Sequence, residues 1–174
     1  MLSLIAAEAA IFTIFLVAYI FYIGKSLSGP TPKEVLELPI FSTVCLLASS
    51  LTIHLAVRAL RNAKVGAFGW WWFVTIALGA IFLVETAREW RHMIYEKGLT
   101  ISTNLFGTTY YSLVGLHAFH VTVGLVVLAI GLIFAILGNV KPEHAERAEV
   151  FSLYWHFVDV VWIIVFTVVY VIGR

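Results

Sequence analysis

Long apolar segments separated by short polar ones dominate the pattern of this chain. Five of them are long enough for the roughly 20 helical residues that cross a hydrocarbon core of about 30 Å. They lack the apolar–polar alternation of barrel strands, so only helices can satisfy their backbone in lipid. We therefore predict an all-α integral membrane protein with a single transmembrane domain over residues 1–174. The predicted spans lie near residues 2–23, 39–60, 69–90, 110–137 and 150–172.

The polar connections carry helix signals of their own. Residues 26–30 have the composition of a loop, and residues 31–34 (Thr-Pro-Lys-Glu) fit a capping box with proline at the first helical position. Pro142 is expected to begin a helix that continues into the fifth span. Lysine and arginine do not decide the orientation, because the loops on the N-terminal side hold five and the opposite side holds six.

The composition supports a membrane protein and argues against a soluble or nucleic-acid-binding protein. Charged residues make up 12% of the chain, half of the roughly 25% typical of soluble domains. A net charge of +1 leaves no basic footprint for nucleic acid, so no nucleic-acid partner is expected. The single cysteine, Cys45, is expected to pack as a small hydrophobe. The first apolar segment has no basic leader, so we expect no cleaved signal peptide.

Two histidines and three glycines mark the fourth span. Gly124, Gly131 and Gly138 recur every seven residues, which predicts a helix-packing face. His117 and His120 lie on the same stripe, so both imidazoles are expected to face protein. They could ligate a metal or haem, but a zinc site needs further protein ligands. We favour hydrogen bonds that tie helices together.

The fifth span contains an aspartate and a histidine among large aromatic residues. Trp155, Asp159 and Trp162 are spaced by four and three residues and share one face. His156 precedes Asp159 by three residues, so the two are expected to pair directly. An acidic side chain near a bilayer centre costs roughly 2.5–3.5 kcal/mol, so it needs a partner or a function. Proton relay and mutual neutralisation both fit, and the crowded aromatics favour the structural role.

Two further sets of acidic residues lie in the spans. Glu8 sits among alanines that would let another backbone approach closely. A protonatable site and a hydrogen bond from its neutral acid to a neighbouring helix are equally compatible with that position. Glu85, Arg88, Glu89 and His92 follow helical spacing and predict an ion-pair stripe that meets another helix or lipid headgroups.

These motifs together resemble subunit III of haem–copper terminal oxidases, in its five-span bacterial form. The resemblance rests on Gly-x-His-x-x-His-Val at residues 115–121 and Trp-His-Phe-x-Asp-Val-Val-Trp at residues 155–162. Glu8 with the apolar helix that follows it, and the acidic stretch at residues 85–90, add to it. The similarity covers essentially the whole chain.

The resemblance implies a non-catalytic subunit of a proton-pumping cytochrome c oxidase in a bacterial plasma membrane. Haem and copper would belong to partner subunits I and II, and this chain would hold no metal or cofactor other than phospholipids in the cleft of a V-shaped bundle. It would support proton uptake, with Glu8 as a buried protonatable, carbodiimide-reactive carboxyl and the N-terminus in the cytoplasm. The expected structural, lipid or subunit contacts are His54, Glu85, Arg88, Glu89, His117, His120, Trp155, His156, Asp159 and Trp162.

Three alternatives stay open at this stage. The chain could be the corresponding subunit of a quinol oxidase or of a nitric oxide reductase system. It could be a small proton-coupled transporter, although such proteins carry broken helices or repeats that this sequence does not show. It could be a b-type cytochrome, with axial ligands drawn from His54, His117, His120 and His156.

Overall fold

A computed structural model describes residues 2–26 and 29–173, and this part of the chain is helical without strands. Five of its helices are long and apolar enough to cross a membrane, which confirms the predicted all-α membrane fold. The predicted loop at residues 26–30 lies partly outside the described residues, because these do not include Leu27 and Ser28. The helices are α1 (Leu2–Tyr22), α2 (Pro32–Val35), α3 (Ile40–Arg61), α4 (Val65–Tyr95), α5 (Leu105–Ile136) and α6 (Ala145–Phe166).

Several helices extend beyond the apolar segments that predicted them. Helix α4 starts at Val65 and α5 at Leu105, four and five residues before the predicted limits. Hydropathy marks only the part of a helix that lipid surrounds, and the polar ends give no such signal. Pro142 begins a 3₁₀ turn that leads directly into α6, as predicted. At its other end α6 continues as a π-helix over Thr167–Ile172.

The short helix α2 is held by a capping hydrogen bond and by burial of its last residues. The backbone N–H of Thr31 donates to Glu34 Oε2 at 2.9 Å, as the capping-box pattern predicts. This hydrogen bond favours the charged carboxylate and lowers the pKa of Glu34 below its ordinary value of 4.5. Val35 and Leu36 are buried. The segment that follows α1 is therefore anchored to the protein at α2.

The prediction that Gly138 lies on the helix-packing face is wrong. Helix α5 ends at Ile136, and Gly138 follows it with φ +73° and open space around a hypothetical Cβ. Its N–H donates to Ala135 O at 3.1 Å, and Asn139 N–H donates to Phe134 O at 3.0 Å. Gly138 therefore terminates α5 in the left-handed conformation that glycine adopts without strain. The seven-residue spacing of glycines in the sequence extends past the end of α5, which is why it included Gly138.

The contacts of the chain divide it into two compact units. The first unit comprises Met1–Pro39, Glu85–Phe119 and Val160–Arg174, and the second comprises Ile40–Val84 and His120–Asp159. Helices α4, α5 and α6 are each divided, with one part in the first unit and the other part in the second. The single transmembrane domain expected from the sequence stays a prediction.

The second unit packs around the indole ring of Trp155. Its Nε1–H donates to Ser49 Oγ on α3 at 2.8 Å, and the ring is fully buried. Two glycines face it, since a Cβ on Gly79 of α4 or Gly124 of α5 would lie 2.9 or 2.8 Å from ring carbons. Gly131 faces the ring of Trp72, since a Cβ on Gly131 would lie 3.3 Å from its Nε1. The sequence pattern indicated Gly124 and Gly131 but missed Gly79.

We expect Gly124→Ala to destabilise the protein by about 1–3 kcal/mol, because the added methyl overlaps a buried ring that cannot move away. The matched control is Gly69→Ala, since a Cβ there meets open space on α4. Thermal unfolding of the purified membrane protein, followed by intrinsic fluorescence, measures both variants. Equal midpoints for Gly124→Ala and Gly69→Ala would contradict the packing role.

Candidate functional site

Four side chains in the second unit, one on α3 and three on α6, form a hydrogen-bonded row. His156 Nδ1 lies 2.8 Å from Ser50 Oγ, which also hydrogen-bonds Asp159 Oδ2. His156 Nε2 lies 3.2 Å from Ser152 Oγ. The predicted direct pair of His156 and Asp159 is therefore wrong. Spacing on one helix places the two side chains close together, but it does not reveal that a serine from another helix lies between them.

Asp159 forms the inner end of this row. Its side chain is 3% exposed, and its second oxygen, Oδ1, has no hydrogen-bond partner among the residues that the structure describes. A buried polar atom without a partner is costly in a low-dielectric interior. This orphaned oxygen sets Asp159 apart from the carboxylates near the helix ends, which are exposed or paired.

The outer end of the row opens into a polar cavity of about 460 Å³. His54 and Arg58 line this cavity with the ion pair of Arg61 and Glu149, and Ser152 and His156 form its inner wall. Both members of the ion pair are about half exposed, at 56% and 52%. The structure thus places His54, expected as a contact residue, beside His156 and close to the polar ends of α3 and α6.

Hydroxyl groups on α3 supply most of the partners that the sequence interpretation did not identify. Ser49 accepts from Trp155, Ser50 bonds His156 and Asp159, and Thr52 Oγ1 lies 2.7 Å from Thr75 Oγ1 on α4. A signal was present: a run of hydroxyl side chains within one apolar span. Serine and threonine in membrane helices often hydrogen-bond across helix interfaces. The run consists of Ser42, Thr43, Ser49, Ser50 and Thr52.

The two histidines of α5 are both buried, so the expectation that their imidazoles face protein is confirmed. In the first unit, His117 stacks on Trp162 with ring centroids 4.8 Å apart, and the edge of Phe12 lies 6.4 Å away. In the second unit, the hydroxyl of Tyr154 donates to the backbone oxygen of His120 at 3.3 Å. Within residues 2–26 and 29–173, His, Cys, Asp and Glu side chains form no group of three or more that could hold a metal ion.

Glu89 belongs to a cluster with two tyrosines in the first unit. Tyr170 and Tyr110 both donate to Glu89 Oε1, at 3.0 and 3.4 Å, and their hydroxyl oxygens are 3.0 Å apart. Both tyrosines are fully buried, and Tyr170 lies on the π-helical end of the chain. A partly buried carboxylate is thus stabilised by phenol donors from two other helices. The sequence interpretation named Glu89 but neither tyrosine.

The ion-pair stripe predicted around Glu89 is only partly present. Arg88 pairs with Glu85 at 2.5 Å, and His92 Nδ1 lies 3.0 Å from Glu96 Oε2. Glu89 joins neither pair, because it bonds the tyrosines instead. Arg88 is 71% exposed, so its pair orders the helix end and contributes little to stability.

Glu8 lies on α1, the least buried of the five spans. Its own side chain is half-buried, whereas Ala6, Ala7 and Ala10 are exposed. Within the described chain, these alanines therefore do not form the close helix contact that their size permits. The outer face of α1 is apolar, with Ile14 68% exposed, so lipid or another protein must cover it.

The five spans and their internal polar clusters define an α-helical integral membrane protein. Residues 4–174 match the model of the cytochrome c oxidase subunit III family. The chain therefore belongs to this family, the third subunit of haem–copper oxidases, as the motifs predicted.

Three relatives illustrate the similarity. Cytochrome c oxidase subunit 3 of Alkalihalophilus pseudofirmus is 36% identical, over 97% of this chain and 83% of the relative. The subunit of the same name in Synechocystis sp. is 38% identical, over 97% of this chain and 72% of the relative. A probable quinol oxidase subunit 3 of Staphylococcus saprophyticus is 33% identical, over 97% and 85%. Bacterial oxidase subunits of both kinds thus align with nearly the whole chain.

Proposed function

We propose that this chain is a non-catalytic membrane subunit that binds subunits I and II of a proton-pumping terminal oxidase in aerobic respiration. The observation that carries the proposal is the family match over residues 4–174. The internal geometry supports it, because the motif side chains of α5 and α6 hydrogen-bond or stack with one another in pairs and rows. Haem and copper then belong to the partner subunits, and electron transfer takes place there.

Two electron donors fit the proposal. Relatives named cytochrome c oxidase subunit 3 and quinol oxidase subunit 3 both match 97% of this chain. The slightly higher identities, 36% and 38%, are to cytochrome c oxidase subunits, so we favour cytochrome c as the donor. Quinol oxidase is the second candidate.

We place the chain in the bacterial plasma membrane with its N-terminus in the cytoplasm. The bacterial relatives and the five spans support the membrane. The orientation rests on family resemblance, because five basic residues on one side against six on the other do not decide it. We also infer that the subunit supports proton uptake by the complex.

We propose further that phospholipid binds this chain at a cavity of about 570 Å³ in the second unit. Aromatic and aliphatic side chains from α3 to α6 line its interior, among them Trp72, Phe134 and Phe151. Its polar end holds Asn139 and Arg147. Arg147 forms no ion pair with any described residue, so its guanidinium is available to a lipid phosphate. An acyl chain would fill the apolar part.

Purification of an affinity-tagged form of this subunit from its own membranes tests the main proposal. We expect haem-bearing larger subunits to accompany it, with haem absorbance that is absent once the chain is isolated from them. A Soret band that stays with the isolated chain would show that it binds haem itself. Purification without any haem protein would contradict its place in an oxidase.

Labelling with a hydrophobic carbodiimide tests the role of Glu8. Its half-buried carboxyl lies beside exposed alanines in an apolar span, where a lipid-soluble reagent can reach it. We expect Glu8→Gln to remove most of the label from this subunit. Asp159→Asn is the control, since the aspartate is buried and should contribute little label. Unchanged labelling of Glu8→Gln would reject Glu8 as the reactive carboxyl.

Native mass spectrometry of the purified complex tests the lipid site. We expect Arg147→Gln to reduce the retained anionic phospholipid by about tenfold to 150-fold, the loss expected when a charge-assisted hydrogen bond worth about 1.5–3 kcal/mol is removed. Lys141→Gln is the control, because this exposed cation neighbours the cavity without lining it. An equal effect of both variants would indicate non-specific attraction of lipid to a basic surface.

A further inference from the structure

We propose that Ser50, His156 and Ser152 form a proton relay that connects the carboxyl group of Asp159 to solvent in the cavity near Arg61 and Glu149. The four side chains form one row, with Asp159 at its buried end and Ser152 at the wall of the cavity. Asp159 and Ser152 are seven residues apart on α6, so the row spans about 10 Å along the helix.

The chemistry of each group suits a relay. A serine hydroxyl both donates and accepts, so Ser50 can receive a proton from Asp159 while it passes its own to His156. Imidazole has two nitrogens that exchange roles between donor and acceptor, and both have hydroxyl partners here, at 2.8 and 3.2 Å. Ser152 and His156 both line the cavity, so the row ends where solvent can enter.

The relay begins with Asp159 protonated and His156 neutral. In the neutral state, Asp159 donates to Ser50 Oγ, Ser50 donates to His156 Nδ1, and His156 donates from Nε2 to Ser152. For release, the Asp159 proton moves to Ser50 as the Ser50 proton moves to Nδ1, which gives an aspartate and an imidazolium. The imidazolium then loses its Nε2 proton through Ser152 to solvent. One proton has left Asp159, and His156 is neutral in its other tautomer.

The position of Ser50 makes this row different from an ion pair. A directly paired aspartate and imidazolium would hold both charges in place, whereas an interposed hydroxyl permits transfer through it. Asp159 Oδ1 has no hydrogen-bond partner in the described part of the chain, so its ionised form lacks compensation on that side. Asp159 is therefore a buried proton store that fills and empties from the cavity.

The surroundings of the outer end are polar enough to admit solvent. The charged and titratable groups that line the cavity besides His156 are His54, Arg58, Arg61 and Glu149. Arg61 and Glu149 neutralise each other at the surface. A cavity of about 460 Å³ can hold several water molecules, each of which needs roughly 10–15 Å³ of space for its centre.

Infrared spectroscopy of the purified oxidase complex tests the relay. The carbonyl stretch of protonated Asp159 is identified by its loss in Asp159→Asn, and its shift in heavy water reports proton exchange. We expect His156→Gln and Ser50→Ala to slow this exchange by on the order of 100-fold, the contribution of a positioned proton-transfer group. Ser50→Thr, which keeps the hydroxyl, should retain rapid exchange.

Thr52→Val is the matched control, because it removes a buried hydroxyl from the same helix outside the row. Equal exchange rates in all variants would overturn the relay, as would equal slowing in Thr52→Val. The absence of an Asp159 carbonyl band at neutral pH would also overturn it, because the relay starts from the protonated acid.

A second measurement compares two exchange processes in the unaltered complex. In the unaltered complex, exchange through the relay should be complete while the backbone amides of residues 155–160 remain protected, as followed by mass spectrometry of deuterium uptake. Exchange of the Asp159 carboxyl only together with those amides would show that the helix opens, and it would contradict the relay.

Discussion

Lipid supplies no hydrogen-bond partner, and this constraint governs the interior of the protein. A polar group in a membrane span must find its partner within the protein, or its burial is costly. Trp155 hydrogen-bonds Ser49, Glu89 accepts hydrogen bonds from two tyrosines, and His156 hydrogen-bonds two serines. Each of these hydrogen bonds joins side chains that are distant in sequence or one helical turn apart. The helices are consequently positioned by polar contacts as well as by close packing against glycine.

The family assignment gives these contacts a functional meaning. Four side chains of the Trp-His-Phe-x-Asp-Val-Val-Trp motif are buried, namely Trp155, Asp159, Val161 and Trp162. The outer surfaces of α1 and α5 are apolar and uncovered in the isolated chain, as at Ile14 and Phe119. A subunit with an internally bonded motif and a broad apolar exterior is suited to assembly with larger membrane subunits and lipid.

The sequence predicted the fold well because hydropathy is a local property. Five spans, the capping hydrogen bond of Glu34 and the helix start at Pro142 all follow from signals a few residues long. The candidate site was less predictable, because partners come from other helices. Ser50 between His156 and Asp159, and Tyr170 beside Glu89, depend on how helices are rotated and paired. The spacing of residues within one helix does not predict how that helix is rotated or which helix it packs against.

Gly138 and Ser50 illustrate two different ways in which helical spacing misleads. A periodic sequence pattern does not show where the helix ends. Gly138 therefore shares the spacing of Gly124 but terminates the helix. A spacing of three residues brings His156 and Asp159 near each other, yet a hydroxyl from α3 changes their interaction from an ion pair to a continuous hydrogen-bonded row. The difference matters chemically, because a row of donors and acceptors that includes an imidazole can move a proton, whereas a fixed ion pair holds it.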